Sequence, residues 1–266
     1  MAVPAETAAC RGDGEGSGGL PQALVLLGRV GAGKSSTANT LLGQAQSGEG
    51  CFVARRSASS VTHECRSALG FAGGRQLLVV DTPGFGDASQ TEADILEEIR
   101  SALPRLVPEG APLCLVLVLS LQGRLDQDLL RMVAGLQDNL FGGGMLRQTI
   151  IVWTHLDLLD PGESLEEYLD GGDVQLRSLL AAAAGGDAAL DNRQPDPAQV
   201  EDLLRRAAET ARPFAANSLR AQRIAGRKSN RRARQIEKGL LRAPPTPAPP
   251  PGADGAAAAE QRCAIA

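Results

Sequence analysis

Gly28-Arg29-Val30-Gly31-Ala32-Gly33-Lys34-Ser35 places three glycines in eight residues and ends on a lysine and a hydroxyl. The apolar run before it, Ala23-Leu24-Val25-Leu26-Leu27, has the length and bulk of a buried strand. The residues after it, Ser35-Ser36-Thr37-Ala38-Asn39-Thr40-Leu41-Leu42, read as a short helix closed by Gly43. Strand, glycine turn and helix in that order form an anion site. Glycine lets the backbone turn tightly and approach a ligand closely. Consecutive backbone N–H groups from Arg29 to Ser36 and the helix N-terminus then face the negative charge. The spacing G-x-x-x-x-G-K-[ST] directs Lys34 to the β- and γ-phosphates and the Ser35 hydroxyl to Mg2+.

Outward from that loop, the chain alternates strands and helices. Residues 44–66 are small and polar, a long loop leading into a strand expected from Thr62 to Phe71. Loops of that length are commonly functional. A threonine there can ligate Mg2+ and respond to the γ-phosphate, with Thr62 as first candidate and Ser59 and Ser60 as competitors. Gln76-Leu77-Leu78-Val79-Val80 is a strand that delivers Asp81 at its C-terminal end, about 45 residues beyond the glycine loop. Asp81 there holds Mg2+ through water, and the Gly84 N–H contacts a γ-phosphate. A helix is expected from Thr91 to near Pro104, then a fully apolar strand over 113–121, then a helix with Leu129, Val133, Leu136 and Leu140 on one face.

Thr149-Ile150-Ile151-Val152-Trp153 is a further buried strand, delivering Thr154-His155-Leu156-Asp157. A carboxylate at that place accepts two hydrogen bonds from the N1–H and N2–H2 edge of guanine, which adenine lacks. Asp157 therefore selects guanine, while His155 is a strand-end residue or stacks on the base. Ser164 and Glu167 form a capping box that opens a helix, and a second helical run covers Val174 to Leu180. Ala188-Ala189-Leu190 reads as a weak last strand, with Asn192 just after it, beside the base. Asp196-Pro197 starts a helix whose buried stripe runs from Val200 to Ala211. The alternation over 22–211 predicts an α/β fold, with a mostly parallel central sheet and helices on both faces.

Composition bounds the rest. The chain has 266 residues, 43% hydrophobic but only 3% aromatic, so aliphatic side chains must fill the core. Net charge is −4, yet residues 212–242 hold ten lysines and arginines against one acidic residue. This basic, helix-compatible stretch reads as a segment that meets an anionic surface or a partner. Over residues 218–242 no aromatic residues interleave the basic ones to stack bases, so nucleic acid is not the expected partner. The five cysteines form no C-x-x-C pair and no zinc-ligand spacing, a pattern suited to a reducing cytosol. No apolar run approaches membrane-spanning length, and no signal core precedes the first strand. Residues 1–20 are expected to be a disordered tail.

Several stretches together resemble the IMAP family, the immune-associated nucleotide-binding GTPases. They are Leu26-Leu27-Gly28 through Gly43, Ser60-Val61-Thr62, Asp81-Thr82-Pro83-Gly84-Phe85-Gly86-Asp87 and Thr154-His155-Leu156-Asp157. Gln122-Gly123-Arg124-Leu125-Asp126-Gln127-Asp128, Ser164 through Leu169 and Leu190-Asp191-Asn192-Arg193 are similar to further segments of that family. The chloroplast-import receptor GTPases are similar in the glycine loop and in Thr154-His155. The resemblance implies the three-layer P-loop GTPase fold and GTP or GDP binding with Mg2+. It also implies slow hydrolysis, and a homodimer or oligomer through the G domain, and it supports Thr62 as the switch threonine. Two departures carry consequences. Phe85 stands where small Ras-like GTPases carry a water-positioning glutamine, so turnover by one copy is expected to be slow. Thr154-x-x-Asp157 replaces the commoner Asn-Lys-x-Asp, which leaves guanine selection to Asp157 with help from Asn192.

Residues 243–252 are a stiff proline-rich linker, and the sequence closes on Cys263-Ala264-Ile265-Ala266. That is a C-a-a-X pattern, so Cys263 is the expected prenylation site. One lipid anchors marginally, and the basic stretch supplies the usual second signal toward an anionic membrane. The expectation is a GTP-dependent switch on the cytosolic face of a membrane. A scaffold that binds GTP without meaningful turnover is the alternative, and an ATP-using P-loop enzyme is the weaker third reading.

Overall fold

The computed structural model describes residues 7–9, 19–44, 50–54, 62–122, 127–170 and 174–219. Its centre is one sheet of eight strands: β1 (Thr7–Ala9), β2 (Gln22–Leu27), β3 (Arg66–Ala72), β4 (Arg75–Asp81), β5 (Pro112–Ser120), β6 (Thr149–Thr154), β7 (Asp187–Ala189) and β8 (Arg212–Pro213). The order across the sheet is β1-β3-β4-β2-β5-β6-β7, with β8 pairing antiparallel to the start of β5. The other pairings are parallel except β3 with β4, an antiparallel hairpin turned through Gly73 and Gly74. The chain is thus α/β with a mostly parallel sheet.

Period-2 alternation sorts each central strand onto two faces. Ala23, Val25 and Leu27 of β2 and Leu113, Leu115, Leu117 and Leu119 of β5 point to one side. There they meet α2 (Glu92–Leu106), α3 (Gln127–Leu136), α4 (Leu165–Asp170) and α5 (Val174–Ala182). Leu24 and Leu26 of β2 and Cys114, Val116 and Val118 of β5 point to the other. That side is closed by α1 (Lys34–Leu41) and α6 (Pro197–Thr210). Burial on both faces is why these strands are almost wholly apolar in sequence.

Several expected boundaries move, each for a physical reason. Pro104 does not end α2, which continues to Leu106. Proline removes one helical N–H and costs about 3 kcal/mol. Burial of Leu103, Leu106 and Val107 offsets this at roughly 2 kcal/mol per large side chain. The helix read as running to Leu140 is α-helical only to Leu136, and Gln137–Phe141 form a π-helical turn. Gly142 closes it with its N–H to Gln137 O at 2.7 Å, and Arg100 Nη2 donates to Asn139 O at 2.9 Å. The wider turn still buries Leu140. The strand expected from Thr62 begins at Arg66.

Residues 1–20 were expected to lack structure, yet Thr7–Ala9 pair in parallel with Ser67–Leu69. Pairing at a sheet edge needs only backbone groups, which composition does not reveal. The packed body also passes the expected end at Ala211. β8 pairs with β5, and Phe214 and Leu219 are buried in the first core face. No helix among the described residues is long and apolar enough to cross a membrane.

Thr91 caps α2 through a box with Asp94. Its Oγ1 accepts from the Asp94 N–H at 3.2 Å, and Asp94 Oδ2 accepts from the Thr91 N–H at 3.3 Å. This cap is exposed, so Thr91→Ala should lower the unfolding free energy by about 1 kcal/mol. Urea denaturation with an unchanged slope checks the loss.

Candidate functional site

Parallel register brings the phosphate loop and the strand-end aspartate together. Leu26 of β2 lies opposite Asp81 of β4, so Asp81 arrives where the chain leaves β2 for Gly28. The loop after Asp81 then pairs with the glycine loop itself. Val30 N–H donates to Phe85 O at 2.9 Å, and Phe85 N–H donates to Gly28 O at 3.2 Å. Two glycines are sterically required. A Cβ at Gly28 would lie 2.4 Å from Val118 O, and one at Gly84 would lie 2.7 Å from the Val30 backbone. Thr82 Oγ1 fixes the connection by donating to Leu26 O at 2.6 Å.

Four of the expected phosphate and Mg2+ residues meet at this point. Ser35 Oγ donates to Asp81 Oδ2 at 2.6 Å, and Thr62 Oγ1 donates to the same oxygen at 3.4 Å. The Ser35 and Thr62 hydroxyl oxygens are 3.5 Å apart. Lys34 Nζ donates to Gly28 O at 3.2 Å and Arg29 O at 3.1 Å, curling over its own loop. Lys34 and Asp81 are both buried, at 7% and 2% exposure. Burial pulls the Lys34 ammonium down to about 8, against the opposing pull of the Asp81 charge. Burial likewise raises the Asp81 carboxyl, which Lys34 and the Ser35 and Thr62 hydroxyls counteract. Asp81 Oδ1 is buried with no hydrogen-bond partner. A buried, incompletely satisfied carboxylate beside two hydroxyls is a set of hard oxygen donors, which fits Mg2+. The competitors Ser59 and Ser60 lie outside the described residues, as do the basic stretch from residue 220 on and Cys263.

The expected base residues divide. The Thr154 side chain is directed inward. It is 1% exposed, and its Oγ1 lies 2.7 Å from Ala32 O and 3.2 Å from Leu119 O, tying the glycine loop to β5. Asn192 is also directed inward. Its Oδ1 accepts from Thr40 Oγ1 at 2.8 Å, and its Nδ2 donates to Thr37 Oγ1 at 3.0 Å. Both ends of the amide are therefore used in holding the loop after β7 to α1. His155 sits at φ 60, the only non-glycine residue with positive φ among those described. Its Nδ1 lies 2.9 Å from Ser120 Oγ and 3.1 Å from Thr154 Oγ1, which supports this tight turn.

Asp157 stays exposed at the rim, in the short helical turn Leu156–Leu158. Its Oδ2 accepts from Arg193 Nη1 at 2.8 Å. Local sequence does not announce Arg193, Ser120, Thr37 and Thr40 as contributors. The first is an ordinary loop arginine in sequence, and the others read as strand-end and helix residues. Their partners lie 35 to 155 positions away, so no local pattern announces them.

A family model described as the AIG1 family matches residues 22–225. Immune-associated nucleotide-binding protein 13 of Arabidopsis thaliana is 33% identical over 187 residues, 68% of this chain and 53% of that protein. Immune-associated nucleotide-binding protein 10 of the same plant is 36% identical over 192 residues, 69% and 39% respectively. The chain spans about half the length of the curated relatives it matches. Among solved structures, Toc33 from Arabidopsis thaliana in complex with GDP and Mg2+ has a TM-score of 0.55 and 20% identity, over 74% of this chain and 88% of that one. At that identity the likeness speaks for the fold, the same α/β architecture. The family match runs from the first residue of β2 to beyond Leu219, across every element that builds the site, and the chain belongs to the AIG1 family.

Proposed function

We propose that the chain is a guanine-nucleotide-binding switch whose hydrolysis is slow or assisted by a second copy. The observation that carries this reading is the convergence of Ser35, Thr62 and Asp81 within 3.5 Å of one another, next to Lys34. Ser35, Thr62 and Asp81 would hold Mg2+, and the ion supplies charge neutralisation on the phosphates. Lys34 would exchange its loop carbonyls for phosphate oxygens, which keep its ammonium protonated. Thr62 belongs to the long loop between α1 and β3, so a γ-phosphate felt there reorders that loop. Asp157 would accept the guanine edge.

The relatives support this reading. The curated ones are named as nucleotide-binding proteins. Toc33 has been solved with GDP and Mg2+ and with Mg2+ and GMPPNP, and dimerization is reported as important for the GTPase activity of atToc33 and psToc159. One observation favours the alternative of a GTP-binding assembly scaffold without meaningful turnover. Phe85 is 3% exposed and its backbone is paired to the glycine loop, so it offers nothing to orient water.

The membrane address rests on sequence alone. The Cys263-Ala264-Ile265-Ala266 pattern supports a reading in which Cys263 would carry a prenyl group and the basic stretch would add a second, electrostatic anchor.

Four measurements test these statements. Purified protein should retain a guanine nucleotide, identified by chromatography after denaturation. Lys34→Ala should weaken GDP binding about 10- to 100-fold, and Asp157→Asn should erase most of the preference for GDP over ADP. In single-turnover GTP hydrolysis, a rate that climbs with protein concentration supports dimer-assisted turnover, whereas negligible hydrolysis at every concentration leaves the scaffold. Cys263→Ser should shift the protein from the membrane pellet to the supernatant, and an unchanged partition would refute the lipid anchor.

A further inference from the structure

Under the proposed function, guanine selection rests on the Asp157 carboxylate, and that carboxylate already has a partner. Arg193 Nη1 donates to Asp157 Oδ2 at 2.8 Å, joining the loop after β6 to the loop after β7. The loop that carries the arginine is fixed by the residues just before it. Asp191 Oδ1 accepts from the Arg193 N–H at 2.8 Å. Asn192 is clamped between Thr37 and Thr40 of α1. The contacts that dock this loop on α1 therefore also aim Arg193 at Asp157.

To a carboxylate, a guanidinium and the guanine edge offer the same chemistry, adjacent N–H donors in one plane. We infer that Arg193 competes with guanine for Asp157 and so sets how strongly guanine is preferred over adenine. The inference depends on the guanine-nucleotide reading above. Arg193 acts through Asp157, as a specificity-determining residue. Its side chain is 59% exposed and that of Asp157 is 42% exposed, so solvent screens the pair. An exposed pair of this kind shifts an equilibrium by about two- to fivefold. That is enough to tune selection, and little enough for an incoming base to displace.

The experiment is competition binding of GDP and ADP to the full chain, wild type and Arg193→Gln. Both nucleotides carry the same phosphates, so the ratio of their affinities cancels the general loss of positive charge. In Arg193→Gln the preference for GDP should rise about two- to fivefold. In the wild type that preference should also rise with added salt, as the pair is screened, whereas in the variant it should be flat. Arg205→Gln removes the same charge from an exposed arginine on α6, paired with Asp202 and Glu209, and should leave the preference where it was. A ratio that is unchanged or lower in Arg193→Gln overturns the competition and leaves the guanine reading standing. A wild-type chain with no preference for GDP overturns that reading, and the competition with it.

Discussion

A carboxylate held out of water at the end of β4 is the constraint around which the phosphate end of this molecule is built. Asp81 is almost fully buried, and a buried charge is costly unless neighbours compensate it. The Ser35 and Thr62 hydroxyls donate to it, and the Lys34 ammonium supplies opposite charge nearby. Lys34 is buried too, and gives up proton affinity for its position. Neither charge is comfortable alone, and removing one leaves the other uncompensated in a dry place. A site in that condition favours a ligand that brings both anionic oxygens and a divalent cation, because each relieves one of the two groups.

Close backbone packing makes this arrangement stiff. Gly28 lies against Val118 O and Gly84 against Val30, at distances that admit no side chain. The glycine loop is bonded to the loop after β4 through Phe85 and to β6 through Thr154. Asn192 bolts the loop after β7 to α1, directly behind the glycine turn, where Gly33 faces both Thr154 and Asn192. Four strand ends are thereby connected through one loop. Preorganisation of this kind lowers the ordering cost when a nucleotide binds. It also makes Arg193 and Asp157 neighbours, since both ride on loops attached to the same frame.

The architecture was largely legible in the sequence because its signals are local. Strands buried on both faces must be apolar, and Ala23 to Leu27 or Leu113 to Leu119 cannot be much else. Capping by Thr91, Ser164 and Asp196 is chemistry within four residues. The misreadings arise where distant contacts outweigh local preference. Pro104 is carried inside a helix by the burial of Leu106, and Arg100 reaches across from α2 to support a π-helical turn. Thr7–Ala9 and Arg212–Pro213 join the sheet through backbone pairing that side chains do not encode.

The site divides along the same line. By itself the sequence determined the strand–loop–helix around Gly28 to Ser35, the arrival of Asp81 at a strand end, and the place of Asp157 just beyond β6. Each follows from spacing and from the fixed geometry of strands and turns. Only the tertiary structure decided which side chains face one another. It brings Thr62 to Ser35 and Asp81, turns Thr154 and Asn192 inward as struts, buries Phe85, and sets Arg193 on Asp157. The reason is topological. These partners are neighbours because of strand order and register, and that order is fixed by the burial of both sheet faces rather than by any property of the residues that end up in contact.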